Sequence, residues 1–209
     1  MPKPFNPQDK YFHKAKKEGY KARSAFKLEE IQERLKILKS GNLVLDLGAA
    51  PGSFLQYTSK VIGENGAALG LDLQEIDLEL PNVHTEICDI YEDNSVDELI
   101  KKFLETKGIH TPATTKFDVV LSDLAPKTSG QKDVDQWRSV ELNQQVLEIA
   151  ARHLKIHGNC LMKVFQGADF DEFLKNTKKL FKLVRVVKPK AVRDRSFEVY
   201  LVCLDKNSA

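Results

Sequence analysis

The chain has 209 residues, 42% hydrophobic and 30% charged, enough for one well-buried domain, short for two, and ordinary in polarity. No apolar run approaches the roughly 20 residues that cross a bilayer, and the start MPKPFNPQDKYFHKAKK has neither the apolar core of a secretory signal nor the Arg/Ser bias of a transit peptide, so the cytoplasm is the expected address. The net charge of +2 is segregated: residues 1–39 carry 11 Lys/Arg against 5 Asp/Glu and residues 175–195 carry 9 against 1, while residues 40–174 carry 11 against 22.

Both ends of the chain thus supply a basic surface to an acidic body, a pattern suited to a polyanionic partner. Residues 1–23 are expected to be a basic, mobile arm, with Tyr11, Phe12 and Tyr20 interleaved among its lysines. A helix follows over 24–39, where Ser24 can cap the start and Leu28, Ile31, Leu35 and Leu38 recur at helical spacing. Lys27, four positions before Ile31, falls on the inward half of that helix. The run NLVLDLG after Ser40-Gly41 suits a buried parallel strand. A periodic stretch over 53–62 leads to a second strand at Ala67–Leu73. Strand-like runs recur at Val83–Cys88, Phe117–Asp123 and Asn159–Phe165, with helical stretches over 95–106 and 136–157. This alternation calls for βαβ units in a Rossmann-like, doubly wound, mostly parallel α/β sheet. At the end, helix 169–181 precedes LVRVVKP and FEVYLVCL, whose connection is too short for a helical crossover; they should pair antiparallel at one side of the sheet. No repeat or linker divides residues 1–209, which read as a single domain. Cys88, Cys160 and Cys203 lack metal-ligand spacing and read as buried thiols, so no metal site is expected.

The segment Asp46-Leu47-Gly48-Ala49-Ala50-Pro51-Gly52 closes the first strand and opens the next helix. Small residues there let backbone approach a ligand, and a helix start offers unpaired N–H groups. Asp72 ends the second strand, placed to bind ribose hydroxyls, and Asp89 follows the third, placed to accept from an adenine amino group. A nicotinamide dinucleotide would favour G-x-G-x-x-G and a pyrophosphate. The carboxylate of Asp46 instead suits a ligand bearing an ammonium and a sulfonium, which favours S-adenosyl-L-methionine and disfavours an oxidoreductase.

Four more residues stand out. Lys163 lies inside the apolar run Cys160–Phe165, where a lysine is costly unless paired. Asp123 ends its strand, Glu198 starts the last one, and Lys27 points inward. Taken singly each has an ordinary explanation as a solvated or turn-capping charge. Together, SAFKLEEI, DLGAAPGSF, DLAPKTSG, MKVFQG and FEVYLVC resemble, in order and spacing, the FtsJ/RrmJ family of ribose 2′-O-methyltransferases. The likeness is greatest to bacterial members acting on large-subunit ribosomal RNA, and it runs from about Tyr20 to Cys203. It implies the class I methyltransferase fold, S-adenosyl-L-methionine as cofactor, and ribosomal RNA within the large subunit as partner, with a uridine as target. It also implies a catalytic tetrad of Lys27, Asp123, Lys163 and Glu198, and cofactor contacts at Gly52, Phe54, Asp72, Asp89 and Asp123; the turn itself adds Asp46 and Gly48. Lys163 would take the proton of the 2′-hydroxyl or, as a cation, steer its lone pair. Transfer RNA or a messenger cap are alternative substrates of the same chemistry. A non-catalytic ribosome-assembly factor is the rival class, and it would need none of the four tetrad residues. The chain departs from the family at Ser53-Phe54, where Gly-Trp is usual, at Lys127 in place of Asn, and in the run Arg193–Phe197.

Overall fold

Apolar runs alternating with amphipathic stretches fold as a seven-stranded sheet covered by helices on both faces in the computed structural model, which describes residues 9–108, 116–193 and 196–208. The order along the chain is α1 (Lys10–Glu18), α2 (Ala25–Leu35), β1 (Leu43–Leu47), α3 (Ser53–Ile62), β2 (Ala67–Asp72), β3 (Val83–Ile87) and α4 (Asp93–Thr106). It continues through β4 (Phe117–Ser122), α5 (Lys132–His153), β5 (Leu154–Phe165), α6 (Phe170–Leu180), β6 (Phe181–Val187) and β7 (Glu198–Lys206). The strands lie in the order β3-β2-β1-β4-β5-β7-β6. Strands β1 to β5 are mutually parallel, and β7 runs antiparallel to both of its neighbours. The expected antiparallel pair is present, with β7 inserted between β5 and β6.

Side chains alternate across the sheet and build two cores. Leu45, Leu47, Val120, Met162 and Val164 pack with α4, α5 and α6 on one face. Val44, Leu121, Leu161, Tyr200 and Val202 pack with Leu28 and Ile31 of α2 and Phe54 and Leu55 of α3 on the other. The strand order reverses between β1 and β4, so their carboxyl ends diverge and leave the crevice where open α/β sheets bind ligands. Among the described residues no helix is long and apolar enough to cross a membrane. The three cysteines are free and buried, and burial pushes the Cys160 thiol up to about 12.

Several boundaries differ from expectation. Over residues 9–23 the expected mobile arm is a docked element; residues 1–8 lie outside the described ones. Asp9 caps α1, accepting from the amides of Tyr11 and Phe12 at 3.0 and 3.1 Å. Arg23 ties α1 to the loop after β6, donating to the Asp9 carboxylate and to the Ala191 carbonyl. Ala15, Phe26 and Ala191 form a small core there, with Tyr11 and Tyr20 against it. Ser24 does not cap α2: its backbone is helical, and its hydroxyl pairs with that of Ser53 at 2.6 Å. Helix α2 stops at Leu35 rather than at 39 because Lys36 turns left-handed and Gln32 clamps the next turn, exchanging hydrogen bonds with both backbone groups of Leu38 at 2.8 Å. The helix expected over 136–157 spans Lys132–His153; Lys206 closes its end by donating to the carbonyls of Ala150, Ala151 and Leu154 at 3.0, 2.6 and 2.9 Å.

Candidate active site

Parallel strands deliver their last residues to one edge of the sheet, and β7, running the other way, brings its first residue to the same edge. Asp46, Asp72, Asp89, Asp123, Lys163 and Glu198 therefore gather at that edge without being near in sequence. Alternation refines the placement. Lys163 is the cross-strand partner of Tyr200, and Phe165 that of Glu198. Residues two apart share a face, so Lys163, Glu198 and Tyr200 all face α2.

Lys163 is buried, and its Nζ lies 3.1 Å from Asp123 Oδ1 and donates to the Asp123 carbonyl at 2.5 Å. Lys27, in the first turn of α2, places Nζ 2.5 Å from Glu198 Oε1 and 5.6 Å from the centroid of the Tyr200 ring. Tyr200 donates its hydroxyl to Asp123 Oδ1 at 2.5 Å. The four predicted residues thus form two ion pairs joined through Tyr200. Sequence reading missed Tyr200 because a tyrosine inside FEVYLVC looks like ordinary core; its signal was the spacing of two from Glu198.

Charge balances within the cluster. Burial alone would raise the Asp123 carboxyl, but the Lys163 and Lys27 charges and the Tyr200 hydroxyl together hold it below its usual range. Burial, the Asp123 and Glu198 charges and the bond to Asp123 push the Tyr200 phenol well above its own range, so it stays a donor.

The turn from β1 to α3 sits beside this cluster. Gly48 has φ +75°, and a Cβ there would lie 2.2 Å from the Leu124 side chain, so the loop after Asp123 packs directly on the turn. Gly52, with φ +102°, starts α3 without a side-chain cap, leaving first-turn N–H groups available. Asp72 braces the turn, accepting from the Ala50 amide at 3.0 Å and the Gln74 amide at 2.9 Å. Asp89 accepts from the Tyr91 amide at 3.0 Å. Phe54 is 2% exposed and packs in the core, so its ring belongs to the scaffold and its backbone to the helix mouth. Asp46 is fully buried, and neither carboxylate oxygen has a hydrogen-bond partner among the described residues. Burial, reinforced by Asp123 and Asp72, raises its carboxyl well above the usual range. Lys127 is exposed in the loop between Asp123 and α5; of the run Arg193–Phe197, residues 194 and 195 lie outside the described ones.

Comparison with known proteins agrees with this geometry. The family model described as FtsJ-like methyltransferase matches residues 20–206. Two proteins named "Ribosomal RNA large subunit methyltransferase E" are similar almost end to end. One, from Bdellovibrio bacteriovorus, is 44% identical over 97% of this chain and 98% of its own; the other, from Myxococcus xanthus, is 43% identical over 100% and 93%. A crystal structure titled as a putative ribosomal RNA methyltransferase from Plasmodium falciparum superposes with a TM-score of 0.78 at 29% identity, covering 91% of this chain and 100% of that one. Aeropyrum pernix fibrillarin, solved with S-adenosyl-L-methionine, shares the fold at a TM-score of 0.57 and 16% identity over 87% of this chain and 73% of its own. The sheet order, the turn at its switch point and the match over residues 20–206 agree: the chain belongs to the FtsJ-like methyltransferase family.

Proposed function

We propose that the chain is an S-adenosyl-L-methionine-dependent ribose 2′-O-methyltransferase acting in the cytoplasm on a uridine of large-subunit ribosomal RNA. The observation that carries this reading is the pairing of Lys163 with Asp123 and of Lys27 with Glu198 on one face, beside the buried Asp46 carboxylate, which has no partner among the described residues. The names of the relatives support the RNA class, and the basic segments at both ends of the chain suit a phosphate backbone.

The residues present fit the cofactor. Asp46, buried beneath the turn at the crevice, has two acceptor oxygens without a partner among the described residues, and its carboxylate is matched to an ammonium or a sulfonium. Gly48 and Gly52 give the turn a close backbone approach, Asp72 ends the adjacent strand β2, and Asp89 lies just past the end of β3. When bound there, S-adenosyl-L-methionine supplies a methyl group on a positively charged sulfur, open to in-line displacement. The chain's own task is to position a ribose hydroxyl and remove its proton. Lys163 Nζ is held by the carbonyl and carboxylate of Asp123, and in the amine form that takes the proton it would keep those two contacts and turn its lone pair to the hydroxyl. Asp123, held by Tyr200, would fix the direction of that lone pair, and the Lys27–Glu198 pair on the same face would border the ribose.

The direct test incubates the protein with methyl-labelled S-adenosyl-L-methionine and large ribosomal subunits, naked ribosomal RNA or transfer RNA. Label on a single ribose 2′-oxygen of large-subunit RNA is expected. Label on transfer RNA alone would move the substrate assignment, and no label on any RNA would overturn the function.

A further inference from the structure

Strand β5 outruns its parallel neighbour at the place where the chemistry lies. β4 ends at Ser122, opposite Met162, because the chain turns away at Asp123. β5 goes on through Lys163 to Phe165. Beyond the strand end, the amide of Gln166 donates to Phe197 on the β7 side at 3.0 Å. Backbone groups alternate in direction along a strand, so the Lys163 carbonyl and the Phe165 amide face the opposite side, beyond the last paired residue of β4. Leu124 cannot serve them, since its amide turns back to Ser122 Oγ at 3.4 Å. A buried strand edge without partners would be costly next to a residue that must be held to a fraction of an ångström.

Two side chains of α5 occupy the gap. Ser139 Oγ accepts from the Phe165 amide at 3.0 Å, and Asn143 Nδ2 donates to the Lys163 carbonyl at 2.8 Å. They are four residues apart, hence on one face of the helix, and both are fully buried among Val140, Val146 and Leu147. The Asn143 amide also donates to the Ser139 carbonyl at 2.7 Å, which fixes its orientation because both of its neighbours are acceptors. Its own oxygen is left with no partner among the described residues. An aliphatic residue would avoid that loss, so the asparagine is explained by what its amine does for Lys163.

We propose that Ser139 and Asn143 are positioning residues for methyl transfer: together they replace the missing strand and hold the backbone that carries Lys163. This rests on the assignment of Lys163 to the chemical step. The pair touches neither substrate nor cofactor and acts through Lys163 alone.

The test uses the full chain with Ser139→Ala, Ser139→Thr and Asn143→Ala. In the cofactor-free protein, amide exchange at Phe165 should speed up at least tenfold in Ser139→Ala, and the Lys163 side-chain nitrogen resonance should shift in both alanine variants. Single-turnover methylation with saturating RNA, well below the unfolding midpoint, should slow at least tenfold in both. Affinity for S-adenosyl-L-methionine and KM for RNA should stay within about twofold. Ser139→Thr, which keeps the hydroxyl, should restore both exchange protection and rate. Folded alanine variants with an unchanged rate, or a threonine variant as slow as alanine, would overturn the proposal. Should Asn143→Ala fail to fold, the serine series decides. If the wild type methylates no RNA, the proposed function falls instead, and the exchange and Lys163 resonance still decide whether the pair holds that backbone.

Discussion

Lys163→Met removes the contacts that Nζ makes with Asp123, 2.5 Å to the carbonyl and 3.1 Å to the carboxylate. Removing one partner of a fully buried ion pair costs about 3–5 kcal/mol, because the other charge is left stranded. Here the Asp123 side chain keeps 17% exposure, the Tyr200 hydroxyl at 2.5 Å and the field of Lys27, so the loss should fall to about 1–2 kcal/mol, near the lower range for one hydrogen bond to a charged group. A domain of ordinary stability, about 5–15 kcal/mol, survives that. Adding Asp123→Asn, which removes the stranded charge and keeps an acceptor for Tyr200, should recover most of the loss. Urea unfolding of the single and double variants measures both numbers. Activity should behave differently: loss of a positioned proton acceptor lowers the single-turnover rate by about 10²–10⁴-fold, and the double variant should not recover it. Lys163→Arg keeps the charge but cannot give up a proton near neutrality, so it should be nearly as slow as methionine. An arginine variant retaining more than about a tenth of the rate would refute the proton-acceptor role in favour of steering. A methionine variant as active as wild type would remove Lys163 from the mechanism.

Asp46 is raised by burial in the folded state, so its ionisation opposes folding. Stability linked to it is full below the unfolded carboxyl range, about pH 4, and is lost as pH rises through the higher folded value; Asp46→Asn should therefore match wild type in acid and gain on it as pH rises, while binding S-adenosyl-L-methionine more weakly. Equal pH profiles in unfolding experiments on the cofactor-free proteins would contradict this. Asp72→Ala should weaken cofactor binding by about 1.5–3 kcal/mol with the fold retained, and calorimetry showing full affinity would take Asp72 out of the site. Lys206→Met, which uncaps the end of α5, should lower stability by about 1–2 kcal/mol and leave the low-temperature rate unchanged, as unfolding curves and single-turnover assays would register. Neutralising the exposed Lys16 and Lys17 of α1 should weaken RNA binding and reduce the salt slope by up to about 1.8, at roughly 0.9 per phosphate contact; an unchanged slope would make α1 a structural element only.

Much of this protein is written in local pattern. Short apolar runs alternating with helical periodicity specify a parallel sheet whatever packs on it, since burial on both faces is the only way such strands avoid water. The turn Asp46–Gly52 is equally local: small residues and a glycine at φ +102° are demands of the backbone itself. Lys163 was conspicuous because a lysine in an apolar run needs an explanation. What the sequence could not contain is which groups supply it. Asp123 is 40 residues away and Tyr200 is 37, and only the insertion of β7 between β5 and β6, in one register, sets Tyr200 across from Lys163. The same holds for Ser24, a good cap by type, whose hydroxyl is drawn to Ser53 once α2 and α3 pack together. It holds for residues 10–18, whose lysine-rich helix has only one buried residue of its own and is held by Asp9, Arg23 and the loop after β6. Periodicity records whether a side chain is buried; the identity of its neighbour is decided by sheet order and register, which depend on the whole chain at once.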